Sequence, residues 1–184
     1  MTPFYTKTGD DGTTGLLGNL RVDKSDLRIE VLGSLDELTA SLGLARSLNA
    51  QRINEDIKLV QRKIYLIMAE VAATEEYLQR FSNLCQKDLV ELEAMIESYT
   101  ASTKMPRDFI LPGDTSASAA VSISRTVARR AERRLVESLK SGNKIREIIL
   151  QYVNRLSSLL YIMEIFIINQ AGEGTFSLAK EKDR

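Results

Sequence analysis

Two clusters of polar side chains in this sequence have the types and spacing of an anion site. Residues 5–18 read YTKTGDDGTTGLLG, where Lys7, Gly9, Gly12 and Gly15 are interleaved with Thr6, Thr8, Thr13 and Thr14. Glycines let backbone N–H groups turn toward an anion, hydroxyls add donors, and a lysine supplies a point charge. No GxxxxGK[ST] pattern is present, so this is not a P-loop. The composition suits a phosphate cradle or a plain flexible N-terminus. The second cluster, RTVARRAERR, spans Arg125 to Arg134. On a helix Arg125, Arg129 and Glu132 fall at i, i+4 and i+7 and share one face, while Arg130, Arg133 and Arg134 point elsewhere. A solvated charged face is the ordinary meaning of such a run. Here the turns ahead of it are small (Ala117, Ser118, Ala119, Ala120, Ser122 and Ser124). They allow a neighbouring helix to approach closely, and a guanidinium row leaving such a helix suits bidentate binding of phosphate.

Two further polar positions stand out. Asn154 and Arg155 interrupt a long apolar stretch. Such residues need partners, structural ones by default, although an amide also suits an adenine or a ribose. Asp36 lies in the first turn of an expected helix, where a carboxylate ordinarily complements the helix dipole.

Composition excludes whole classes of chemistry. The chain has 184 residues, no His and a single Cys. A Ser-His-Asp or Cys-His site, a zinc ribbon and an imidazole-held haem are therefore out of reach. Cys85 cannot form an internal disulfide, which fits a reducing, cytoplasmic setting, and it reads as a packing or surface residue. Lys+Arg and Asp+Glu balance at 25 each, which argues against nucleic acid or an anionic membrane as partner. Met1 leads into a polar stretch without the apolar run of a signal peptide. Residues 148–168 come nearest to a membrane span, but Gln151, Asn154, Arg155 and Glu164 interrupt them. A charge near a bilayer centre costs about 2.5–3.5 kcal/mol on insertion scales, so a buried bundle helix is expected instead.

The elements that must position these residues are helices. Ser34, three residues before Glu37, reads as a capping box that opens a helix over about 35–49, with Leu38, Leu42 and Ala45 facing inward. Asn54 reads as the cap of a second, carrying Ile57, Val60, Ile64, Ile67, Met68 and Val71 at three- and four-residue steps. A third is expected over about 86–100, a fourth over about 115–140 and a fifth over about 144–170, with Gly142 and Asn143 between the last two. Residues 109–113, FILPG, form a connector stopped by Pro112 and Gly113. No period-2 alternation or internal repeat is visible. The expectation is one all-α domain over residues 1–170, a five-helix bundle, followed by a polar, mobile tail over 171–184.

Taken together, these segments resemble the PduO-type cob(I)alamin adenosyltransferases. The resemblance rests on residues 5–18, Lys24, the Gly33-to-Glu37 stretch with LGLARS at 42–47, FILPG at 109–113, RTVARRAER at 125–133 and YVNRLS at 152–157. It implies a homotrimer with sites between subunits, in which the 5′-deoxyadenosyl group of ATP passes to the Co(I) of reduced cobalamin. Adenosylcobalamin and triphosphate are the products. It also implies that Thr6 to Gly15 and Lys24 wrap the triphosphate with Mg²⁺ assisting, no protein ligand to the metal being assigned. Arg125, Arg129, Glu132 and Asn154 would come from the adjacent subunit, Asp36 would pair with Arg125 across the interface, and Phe109 would lie beneath the corrin ring. Such a reaction needs a reductase upstream and an adenosylcobalamin-dependent enzyme downstream.

Four positions depart from the family's usual pattern: Asp114 replaces a glycine after FILPG, Ser122 a histidine, Thr39 an asparagine and Ser158 an aspartate. The nucleotide-side residues are intact, whereas Asp114, Ser122 and Thr39 lie toward the corrinoid side. Asp114 also suits the cap of the fourth helix. A second reading is therefore a non-catalytic paralogue, an ATP-binding trimer that senses nucleotide or delivers corrinoid.

Overall fold

A computed structural model describes residues 5–49, 51–172 and 176–180. Among the described residues there are six α-helices: α1 (Leu27–Ser47), α2 (Gln51–Ala72), the one-turn α3 (Leu78–Phe81), α4 (Gln86–Ala101), α5 (Ser116–Lys140) and α6 (Glu147–Gln170). The five long ones form the expected bundle. Helix α1 packs on α2 and α5, α5 on α6, and α6 on α4. Residues Ile165 to Ile168 of α6 are buried in unbroken succession, the mark of a helix enclosed on all sides. Among the described residues no helix is long and apolar enough to cross a membrane.

Helix α1 starts two turns earlier than its sequence suggests. Asp26 is the cap: its carboxylate accepts the Arg28 N–H at 2.9 Å and the Arg28 guanidinium at 3.1 and 3.2 Å. The longer helix buries Val31 completely. Ser34 is no cap but a buried residue inside the helix, its hydroxyl donating to the Glu30 carbonyl at 2.9 Å. Asn54 likewise sits inside α2, and its amide donates to the Arg46 carbonyl at 3.3 Å, so it ties off the end of α1 instead. Helix α5 is capped by Thr115, with Ser118 reciprocating. Asp114 is therefore not the cap; its carboxylate accepts the Ser177 N–H at 3.2 Å.

The glycine- and threonine-rich segment is more ordered than a plain loop. Its second half forms an antiparallel hairpin, β1 (Thr13–Gly15) with β2 (Arg21–Asp23), in the register Thr13↔Asp23, Thr14↔Val22 and Gly15↔Arg21. Leu17 anchors it to the end of α2 by donating to the Ala72 carbonyl at 2.8 Å and accepting from Thr74 N–H at 2.9 Å. Gly18 makes the close approach possible: its φ is +138°, and a Cβ there would lie 2.2 Å from the Thr74 hydroxyl oxygen.

At the opposite end of the bundle, Phe176–Lys180 of the tail runs back along the 109–113 connector. Leu111 N–H donates to the Ser177 carbonyl at 2.6 Å and Ala179 N–H to the Phe109 carbonyl at 2.8 Å. Residues 173–175 and 181–184 of that tail lie outside the described residues.

Candidate functional site

The cradle end of the chain is built by the hairpin. Turns at Lys7 (φ +60°) and Gly12 (φ +83°) fold residues 6–12 back on themselves. Lys24 reaches across to donate from Nζ to the Gly9 carbonyl at 2.7 Å, and its N–H bonds the Gly12 carbonyl at 2.9 Å. Arg21 clamps the same turn through the Thr13 hydroxyl, at 2.7 and 3.1 Å, and the Thr8 carbonyl. The Thr6 and Thr8 hydroxyls lie 2.8 Å apart on the exposed side. Asp11 accepts both the N–H and the hydroxyl of Thr13, which holds its carboxyl below the usual range. Thr14 and Gly15 lie in β1 rather than facing the turn as free donors. Nothing local in the sequence marks Arg21 for this role; it stands two residues before Asp23 on β2, opposite Gly15.

The arginine face lies on α5 and α6. Arg125, Arg129, Ser157, Ser158 and Tyr161 line a hollow of about 300 Å³. The Arg125 guanidinium stands 5.9 Å from the Tyr161 ring centroid. Its Nε faces Glu164 Oε2 at 3.8 Å, and Glu164 is buried to 1% exposure. Arg129 is exposed and makes no ion pair among the described residues. Its neighbours are occupied: Arg130 pairs with Glu37 of α1 and Arg134 with Glu137. Asn154 donates to Glu132 Oε1 at 2.8 Å, and Arg155 bonds Glu93 and the Asn154 side-chain oxygen at 3.3 Å each. The polar interruption of α6 is thus paired structurally, while its amide remains on the surface beside Glu132.

Phe109 is 84% exposed. With Pro106, Arg107, Asp108 and Tyr161 it lines a second hollow of about 270 Å³. Tyr161 borders both hollows, so the arginine face and the exposed aromatic ring are adjoining parts of one surface. Asp36 is exposed on α1 and has no ion pair among the described residues. Within one chain, no hydrogen bond or ion pair among the described residues joins the Thr6-to-Lys24 cradle to Arg125, Arg129, Glu132 or Asn154.

Of the departures from the family pattern, Ser122 is buried on α5 one turn ahead of Arg125. The Thr39 hydroxyl oxygen is buried without a partner among the described residues, while its carbonyl accepts the Gln61 amide at 2.9 Å. Ser158 is exposed at the rim of the arginine hollow.

Residues 4–167 match the family model for cobalamin adenosyltransferase. A corrinoid adenosyltransferase of Bacillus subtilis is 37% identical over 176 residues, covering 93% of this chain and 89% of its own. The corrinoid adenosyltransferase PduO of Salmonella typhimurium is 38% identical over 164 residues; that match takes in 87% of this chain and 48% of the longer relative. Among solved structures, a phenylalanine-to-alanine variant of a PduO-type ATP:corrinoid adenosyltransferase from Lactobacillus reuteri, complexed with cobalamin and ATP, superposes with a TM-score of 0.89. It is 28% identical, with 97% of this chain and 100% of that one covered.

Proposed function

Because the chain belongs to the cobalamin adenosyltransferase family, we propose that it transfers the 5′-deoxyadenosyl group of ATP to the cobalt of reduced cobalamin. The observation that carries the reading is the shared wall of Tyr161. It sets a hollow lined by two arginines directly beside a hollow lined by an exposed phenylalanine. A triphosphate and a flat, apolar macrocycle are ligands for these two surfaces.

The reaction asks little of acid–base chemistry. Co(I) of the substrate donates its electron pair to the ribose C5′ of ATP, the cobalt–carbon bond forms, and the C5′–O bond breaks with its electrons passing to triphosphate. No proton has to move, so a chain without His lacks nothing the step requires. The step does need positive charge on the departing oxygens and a fixed line of attack. Lys7, Lys24, Arg125 and Arg129 are the cations for the triphosphate. Thr6, Thr8, Gly9 and Gly12 supply the cradle around it, backed by Thr13, Thr14 and Gly15 of β1. Asn154, oriented by Glu132 at 2.8 Å, presents its amide to the nucleoside. Phe109 lies against the corrin ring, where an apolar face favours loss of the lower axial ligand.

No group of three His, Cys, Asp or Glu side chains comes together among the described residues. The donor set therefore fits a magnesium ion carried on the phosphates and still largely hydrated, with the Thr6 and Thr8 hydroxyls as the chain's contribution. Such an ion adds positive charge to the leaving group.

The separation of cradle and arginine face within one chain supports a homotrimer in which each site takes the cradle from one subunit and the arginines from the next. Asp36 then meets Arg125 across the interface. Exposed apolar side chains on the adjoining helices, Leu44 on α1 and Ile123 on α5, suit burial in such a contact. A cytoplasmic setting, with a reductase supplying Co(I) and an adenosylcobalamin-dependent enzyme taking the product, goes with this reading.

The test is anaerobic turnover of Mg·ATP with chemically reduced cob(I)alamin, following the cobalt–carbon product by absorbance and counting triphosphate. One triphosphate per adenosylcobalamin is expected. ATP binding without any product would refute the transferase and leave the nucleotide-sensing or corrinoid-delivering paralogue.

A further inference from the structure

Glu164 is the most deeply buried carboxylate on the bundle's inner face that the reaction does not use. It projects from α6, the most enclosed helix, and is 1% exposed. Among the described residues, one of its oxygens, Oε1, has no hydrogen-bond partner, and neither has the Nε of Arg125, which is also buried and faces Oε2 at 3.8 Å. A buried charge with an unpartnered oxygen is costly, and an apolar side chain would fill that space at lower cost. What this carboxylate does have, among the described residues, is one cation in front of it. The Arg125 side chain as a whole is 27% exposed, so its inner edge meets Glu164 while the guanidinium extends into the hollow shared with Arg129.

We propose that Glu164 is a positioning residue: it draws the inner edge of Arg125 against α6 and so presents the outer guanidinium nitrogens to the triphosphate. The proposal rests on the reading of Arg125 as a phosphate ligand. Two other groups act on this carboxylate. The Ser122 hydroxyl, one turn before Arg125 on α5, favours its charged form, and Asp114 in the segment ahead of α5 opposes it. Tyr161, one turn back on α6, lies beside the same guanidinium, its ring centroid 5.9 Å away. Burial pushes the Glu164 carboxyl above the usual range, with Arg125 pulling the other way. Within its own chain the arginine thus has both a ring and a carboxylate beside it, and its long side chain loses less freedom when an anion arrives.

The experiment is a double-mutant cycle read by calorimetric titration with inorganic tripolyphosphate, using wild type, Glu164→Gln, Arg125→Met and the double variant. Glu164→Gln is expected to weaken tripolyphosphate about fivefold, the scale of one loosened charged contact. In the Arg125→Met background the same change should have less than about a twofold effect. In turnover, Glu164→Gln should raise the KM for ATP and leave the KM for cob(I)alamin unchanged. An equal loss in both backgrounds would mean that Glu164 acts by general structure, and no loss in the single variant would mean that it does not act at all. Either result overturns the proposal. If Arg125→Met itself binds tripolyphosphate as wild type does, the assignment of Arg125 fails first and this proposal with it. Should the glutamine variant not fold, Glu164→Met takes its place in the cycle, since it fills the space without stranding an amide.

Discussion

Arg129 should be separable from the fold altogether. It is exposed, makes no ion pair among the described residues, and is followed by Arg130 and, four residues on, Arg133 in a strongly basic run. Arg129→Ala therefore removes a charge that the folded chain does not use, and stability should stay within about 0.5 kcal/mol of wild type. Its contribution to ligand is much larger. A hydrogen bond to an ionised partner is worth about 1.5–3 kcal/mol, or roughly 10- to 150-fold in Kd. The loss should be the same for ATP and for inorganic tripolyphosphate, because the guanidinium reads phosphate and not the base. It should also shrink as ionic strength rises, since the group is on the surface. Calorimetric titration of both ligands at two salt concentrations, beside a thermal melt, gives all the numbers. A tripolyphosphate Kd within twofold of wild type would remove Arg129 from the site. A drop in melting temperature beyond about 5 °C, roughly 2 kcal/mol in a domain of this size, would show that the residue serves the fold instead.

Arg146 should behave in the opposite way. It holds Glu70, 3% exposed, through two hydrogen bonds of 2.6 Å, and it also bonds the Leu84 carbonyl at 3.0 Å. Arg146→Ala strands a buried carboxylate and should cost about 3 kcal/mol, lowering the melting temperature by about 6–12 °C while tripolyphosphate affinity in the folded fraction is unchanged. An unaltered melting curve would mean that Glu70 finds another partner. Phe109→Ala should leave both the melting temperature and ATP affinity at wild-type values, because the ring is exposed, and should slow adenosylation by about tenfold or more. Wild-type turnover in that variant would remove the ring from the corrinoid site.

The sequence was most legible where a single helix face carries the information. The three- and four-residue steps from Ile57 to Val71 match the buried stripe of α2, and the spacing of Arg125 and Arg129 puts both on one hollow. It misled where one local pattern has two meanings. Ser34 with Glu37 has the spacing of a capping box, but burial of Val31 favours a longer helix, and Ser34 bonds back to Glu30 inside it. The β1–β2 hairpin has strands of three residues, too short to show a period. Pairings such as Glu70 with Arg146, or Arg125 with Glu164, join residues dozens of positions apart, and nothing local in the chain announces them. In the sequence Glu164 shows only as a polar interruption of an apolar helix. What it faces depends on how α5 and α6 lie against each other.

The pairing of the tail with the 109–113 connector has a consequence for timescales. Two backbone hydrogen bonds, Leu111 to Ser177 and Ala179 to Phe109, hold the chain just after the exposed ring, and the Ser177 N–H adds a third to the Asp114 carboxylate. At about 1 kcal/mol net for each, this contact opens at a free energy far below that of global unfolding. The ring's support is thus a local equilibrium of its own, decoupled from the nucleotide cradle at the other end of the bundle. When that contact opens, the ring loses its backing while the helices that fix the arginines stay closed.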